Sequence, residues 1–144
     1  MDEREMGYVG VYVDMIKYLK ALYHDVSVLH HNIKGANFFA NHEALGDMYE
    51  HIADMLDDLI ELGMTIGIYE PSIEDSLKFK PTIPVRLYTA NEAFSIVVDE
   101  FKKAIELMSN AKNFVPEDMK AKIEEYQHTL RIDGLYKAQM LLEE

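Results

Sequence analysis

Four side chains, His30, His42, Asp57 and Glu61, have the types and spacing to hold a metal ion of hard or borderline character. The first two flank a break. The stretch HHNIKGANFFANHE, from His30 to Glu43, spends three of the chain's six histidines around a single Lys-Gly-Ala-Asn step. If a helix ends there and the next folds back on it, His30 and His42 arrive at the same level. Two imidazoles at one level can share a metal ion or a bridging water. Further on, Glu50, Asp54, Asp57 and Glu61 recur at steps of four, three and four, so they line one side of a helix. Like charges so placed repel by a few tenths of a kcal/mol per pair. For Glu50 and Asp54 a solvated face is sufficient explanation. For Asp57 and Glu61 the same reading competes with a metal-binding one. Asp57 lies roughly 22 Å beyond His42 along a helix rising about 1.5 Å per residue, so one chain cannot join all four groups. Two copies packed about a two-fold axis, with their second helices antiparallel, can. The histidine end of each then faces the carboxylate end of the other, and symmetry makes two identical sites. Two imidazoles and two carboxylates suit Fe(II), with positions open for water and dioxygen.

Composition narrows the alternatives. The 144 residues fit one domain, residues 1–144, and 49% of them are hydrophobic, enough to fill a core. The formal net charge of -12 argues against a general binder of duplex DNA or of membrane surfaces, both of which need basic patches. It fits a protein that gathers cations. With no cysteine, thiolate metal sites, disulfides and cysteine nucleophiles are excluded. No stretch reads as a signal peptide or a membrane span, so the expected compartment is the cytoplasm.

The elements that must position these groups are helical. Val11, Met15, Leu19, Leu22, Val26, Leu29 and Ile33 form one apolar stripe, with Lys34-Gly35 as the stop. A second helix is predicted from Phe38 or Asn41 to Leu62, with Gly63 ending it. Residues 64–89 hold three of the four prolines and read as a long crossover containing a short helix, PSIEDSLKF. A third helix starts with Thr89 or Asn91 as its cap and carries Ala93, Ile96, Val97, Phe101, Ile105 and Met108 inward. The fourth runs from Pro116 to about Leu142, with Met119, Ile123, Tyr126, Leu130 and Leu141 as buried candidates and Gly134 as a weak point. Four long helices, tight turns after the first and third, and one long central crossover give an all-α, ferritin-like four-helix bundle.

The stretch LHHNIKGANFFANHEALGDMYEHIADMLDDLIELG resembles the core of the Dps mini-ferritins. Their pattern there is His-Trp-x-x-Lys-Gly-x-x-Phe, then His, then Asp-x-x-x-Glu on the same helix. The crossover helix and the four-helix length extend the likeness, which is strong between His30 and Gly63 and weak in the last two helices. The resemblance implies that His30 and His42 are ligands from one subunit and Asp57 and Glu61 ligands from its two-fold mate. It also implies a hollow dodecamer that oxidises Fe(II), often with hydrogen peroxide, and stores the ferric product, a ferroxidase-type oxidoreductase that protects against oxidative stress. Three departures stand out. The family's Trp is His31 here, which reads either as a spare ligand or as a polar replacement. A further acid, often found four residues after the second histidine, is Gly46, with Asp47 next to it but turned about 100° away. No lysine-rich tail is present at MDEREMG or LLEE, so no strong DNA binding is expected.

Two other readings remain at this stage. One is a Dps-like shell or metal-binding protein without turnover, its site holding zinc or nothing. The other is an intrachain di-metal centre built on Glu125-x-x-His128, which would need a second such motif on another helix. His24 and His51 read as ordinary, partly exposed residues. The nine methionines read as core filler.

Overall fold

A computed structural model describes residues 3–142, with side chains from Val9 onward. The chain termini, and with them the outermost part of the two non-basic tails, lie outside the described residues. Helix α1 covers Glu3–Asn32, α2 Phe38–Thr65, α3 Ile73–Phe79, α4 Ala90–Lys112 and α5 Glu117–Thr129. A π-helical segment, Leu130–Tyr136, and a last turn, α6 Lys137–Leu141, extend α5. The four long rods are α1, α2, α4 and the α5–α6 run, with α3 in the crossover between the second and third.

The apolar stripes close the core as the periodicity requires. Met15, Leu19, Leu22, Val26 and Leu29 of α1 are sealed against Leu45, Met48, Ile52, Met55 and Leu59 of α2, and Phe94, Val97, Phe101 and Met108 come in from α4. Ile33 continues the α1 stripe past the end of the helix, where it forms a parallel bridge with Tyr88. There Lys34 N–H donates to the Tyr88 carbonyl and Tyr88 N–H to the Asn32 carbonyl, both at 2.9 Å. This ties the end of α1 to the start of α4. No described helix is long and apolar enough to cross a membrane.

The turn between α1 and α2 uses Gly35 at φ +126°, a conformation that glycine adopts without the steric cost other residues incur. Phe38, the earlier of the two expected starts, is the first residue of α2. Thr89 caps α4 in a capping box. Its side chain accepts from Glu92 N–H, and the Glu92 carboxylate accepts from Thr89 N–H at 3.0 Å. Ser72 caps α3 in the same sense, accepting from Asp75 N–H.

Two sequence expectations need correction. Gly63 does not end α2, which runs on to Thr65; the turn glycine is Gly67, at φ +81°. Gly63 is instead a point of close approach. A Cβ there would stand 2.8 Å from Tyr12 Cε1, and the Tyr12 hydroxyl bonds the Leu59 carbonyl one turn earlier. The fourth rod, read as a plain helix weakened at Gly134, widens into a π-helical segment there. The Phe101 ring of α4 occupies the space that a Cβ at Gly134 would need. The glycine therefore serves packing between two rods.

Candidate functional site

His30 and His42 meet across the α1–α2 hairpin. Their rings stack with centroids 3.9 Å apart and planes 15° from parallel. Each Nδ1 lies 2.7 Å from the other residue's backbone carbonyl, His30 Nδ1 on His42 O and His42 Nδ1 on His30 O. A carbonyl oxygen only accepts, so each Nδ1 carries the proton and, in the neutral ring, each Nε2 carries a lone pair. Neither Nε2 has a hydrogen-bond partner among the described residues, and neither is sealed from solvent. Tautomer and ring orientation are thus fixed by the backbone, the arrangement that prepares imidazoles as metal ligands. Burial lowers the pKa of His30 below the ordinary imidazole value, outweighing the opposing pull of the His42 carbonyl; the His42 and His31 rings add to the drop. The neutral, ligand-competent form is favoured.

Gly46 has a local explanation. A Cβ at this position would stand 2.8 Å from His30 Cε1 and 3.2 Å from Nδ1. The glycine gives the imidazole its room, one turn after His42. Gly46→Ala is therefore expected to push the His30 ring out of its reciprocal bond and to destabilise the hairpin by about 1–3 kcal/mol, the usual cost of overpacking. Denaturant midpoints and Co(II) affinity check this; both unchanged would show that the ring has free space.

His31, one residue on, is exposed and stands edge-on to His30 at 4.7 Å between centroids. Its Nδ1 bonds the Ser27 carbonyl at 2.7 Å within its own helix, so in the neutral ring the lone pair is on Nε2. Asp47 is exposed on the far side of Gly46.

Asp57 and Glu61 lie on the outer face of α2, exposed, in line with Glu50 and Asp54. Neither is paired with a basic side chain among the described residues. Asp58, the next residue, is committed to the fold instead. It accepts from the Tyr126 hydroxyl of α5 and lies 3.9 Å from Lys122 Nζ. The structure brings His30 of α1 and His42 of α2 together; Asp57 and Glu61, one turn apart from each other, lie several turns further along α2. Among the described residues no group of three or more histidines and carboxylates gathers within the single chain. Glu125 and His128 are exposed on α5, with Glu125 near Lys122 at 3.5 Å and no second motif facing them. His51 lies 3.9 Å from Asp133.

Sequence reasoning did not pick out two constellations. Tyr23 and Tyr49 stack beside the histidine pair, with hydroxyl oxygens 2.7 Å apart. Asp25, Lys80 and Glu100 form a buried charge cluster behind the crossover. Each joins residues far apart in sequence, and no local spacing marks either of them.

Four rods and a long central crossover with its own short helix make a ferritin-like fold. Within that class the chain resembles the Dps proteins. No family model matches it. The DNA protection during starvation protein of Helicobacter pylori (strain J99) is 40% identical over 58 residues, 38% of this chain and 40% of that protein. Its namesake in Listeria innocua is 26% identical over 102 residues, 63% of this chain and 65% of that one. The matched stretches span less than two thirds of either relative. Among solved structures, a Dps protein from Bacillus brevis superposes with a TM-score of 0.83 at 21% identity, covering 99% of this chain and 100% of that one. The Dps of Vibrio cholerae O1, described as a member of a broad superfamily of ferritin-like diiron-carboxylate proteins, gives 0.79 at 17% identity over 94% and 87%.

Proposed function

We propose that this chain is the subunit of a mini-ferritin. Two copies pair about a two-fold axis, and each presents its His30–His42 end to the Asp57–Glu61 end of the other. Fe(II) is the substrate. The carboxylates draw it in and bind it, the imidazoles complete the site, and peroxide or dioxygen takes the electrons. The ferric product collects on acidic groups inside a hollow assembly, a dodecamer by analogy with the Dps family. Zinc can occupy the same donors as a substitute.

The observation that carries this reading is the reciprocal histidine pair. Both Nδ1 protons are spent on backbone carbonyls, both Nε2 lone pairs are left open, and the unpaired Asp57–Glu61 face lies on the same rod. The net charge of -12 suits a protein that concentrates cations and disfavours tight binding to duplex DNA, despite the relatives' name. We place the protein in the cytoplasm.

A second reading, a shell without turnover, rests on Gly46, where the family pattern often has an acid. Sizing of the purified protein, followed by anaerobic Fe(II) titration and addition of peroxide, separates the two. The first reading expects an assembly larger than a monomer, about one Fe(II) bound per chain, and rapid formation of Fe(III). An assembly that binds metal but oxidises no Fe(II) would establish the second, and a monomer that retains its metal would refute both.

A further inference from the structure

The Ile33–Tyr88 bridge holds the α1–α2 turn against the start of α4, and a cavity of about 230 Å³ opens between them. Room for about seven waters is enough for a small hydrated ion and short of what a drug-sized ligand fills. Lys34, Asn37, Asn41, Thr89 and Ala90 stand in its walls. Two of these side chains have no use within the fold. Lys34 is exposed and has no carboxylate partner among the described residues. Asn41 is only 7% exposed, yet its side-chain amide makes no hydrogen bond among the described residues. Neither amide atom is sealed from solvent, so the amide opens on the cavity that the residue lines.

The start of α2, a helix of 28 residues, borders the same cavity. Its N-cap, Asn37, makes no side-chain capping bond, and no acidic residue stands in its first turn. Phe38 N–H donates to the Gly35 carbonyl and Asn41 N–H to the Asn37 carbonyl. The Phe39 and Ala40 N–H groups are left without a partner among the described residues. Such a helix end carries about half a positive charge. The start of α4 differs: Glu92 closes it in the capping box, and Arg86 holds that carboxylate at 2.9 Å. The positive field at the cavity therefore comes from Lys34 and α2, within a chain of net charge -12.

We propose that this cavity binds a small tetrahedral oxyanion of the phosphate class, with Lys34 and the Asn41 amide as its side-chain partners. The uncapped start of α2 supplies N–H donors and a field of the right sign. Lys34 supplies a full charge. Asn41 supplies a further donor and, through its carbonyl, an acceptor for the proton of hydrogen phosphate. The occupant is the free ion: the space is small, and the chain's net charge repels the larger polyanions that carry phosphate esters. The bound anion closes the first turn of α2, the turn that leads into His42, as a capping side chain does at other helices. No metal takes part.

Calorimetric titration of the metal-free, assembled protein with inorganic phosphate, against chloride at equal ionic strength, tests this. Saturable binding of one phosphate per chain is expected, with a melting temperature that rises with phosphate. Lys34→Met, a surface change, is expected to weaken binding about 10–100-fold by removing a charge-assisted hydrogen bond; Lys34→Arg is expected to restore most of it. Asn41→Leu, of similar size, is expected to weaken phosphate binding yet melt no lower than the parent in phosphate-free buffer, since no bond within the fold is lost. Glycerol phosphate is expected to bind more weakly than the free ion. No saturable binding by the parent, or binding by Lys34→Met or Asn41→Leu as tight as the parent's, overturns the site. Tighter binding of glycerol phosphate overturns the free ion as occupant. A parent that binds no phosphate, with an assembly that changes size in Lys34→Met, would assign the cavity to a carboxylate of a neighbouring copy and overturn the proposal.

Discussion

Replacing His30 and His42 together by asparagine should abolish Fe(II) oxidation above the uncatalysed background while leaving the hairpin folded. Asparagine places an N–H near the position of Nδ1, so it can keep the bonds to the two backbone carbonyls, each worth about 0.5–1.5 kcal/mol. It carries nothing at the position of Nε2. Loss of outer-shell partners alone costs metal affinity about 10–100-fold, so loss of two ligands is expected to cost on the order of 100-fold or more. The His30→Ala, His42→Ala pair removes the proposed ligands and the ties together, and should show the same catalytic loss with an added loss of stability. If the histidines serve only to pin the hairpin, the asparagine pair will oxidise Fe(II) as fast as the parent. Stopped-flow oxidation of the three proteins decides between these outcomes.

Asp25→Ala should be the most destabilising single change among the contacts that hold the crossover. Asp25 of α1 is fully buried; its Oδ2 lies 2.5 Å from Lys80 Nζ and its Oδ1 accepts from Ile83 N–H at 3.0 Å. The same ammonium reaches Glu100 Oε1 of α4 at 2.8 Å. The cluster fastens the crossover to two rods. Truncating Asp25 strands a buried ammonium on one carboxylate and orphans a backbone N–H, which costs about 3–5 kcal/mol. For a chain of this size that is a melting temperature lower by on the order of 10 °C.

The loss should depend on pH. Burial, then the neighbouring Asp25 carboxylate, push the Glu100 pKa up to about 8 from an ordinary 4.5, against the pull of Lys80. Its Oε2 is buried with no hydrogen-bond partner, which also disfavours the anion. A carboxyl raised in the folded state favours folding most fully below its unfolded value, and that contribution fades as pH rises through about 8. Without Asp25 the Glu100 anion pairs with Lys80 more readily, so the variant loses less stability over the same rise. Asp25→Ala should therefore cost more at pH 6 than at pH 9. Equal losses at both, measured by denaturant titration, would mean that Glu100 is ionised throughout.

Much of the bundle is legible because apolar stripes at helical period, a Lys-Gly stop and a Thr cap are local signals that the packing respects. The meeting of His30 and His42 was readable too, since a hairpin turn fixes the register of residues on either side of it. Gly63 and Gly134 misled because a glycine near a helix end or inside a helix reads as a stop or a weak point. Its use here is the absence of a Cβ against Tyr12 and Phe101, rings on other rods. Asp25 and Lys80 look like surface charges in HDVS and KFKP; only the fold closes the 55-residue gap between them. Tyr23 and Tyr49 were hidden in the same way. Why Asp57 rather than Asp58 faces outward follows from helical phase, but only Tyr126 reveals what Asp58 is for.

The central claim is that each site is divided between two chains, and mixing two crippled proteins tests it most directly. One carries His30→Asn and His42→Asn, the other Asp57→Asn and Glu61→Gln, and each alone should be inactive. Unfolded together and refolded, they should form pairs in which the intact histidines of one chain meet the intact carboxylates of the other. Random pairing makes about half of the dimers mixed, with one working site of two, so about a quarter of the parent's Fe(II) oxidation rate should return. No recovery in a mixture shown by mass spectrometry to contain mixed dimers would contradict the shared site.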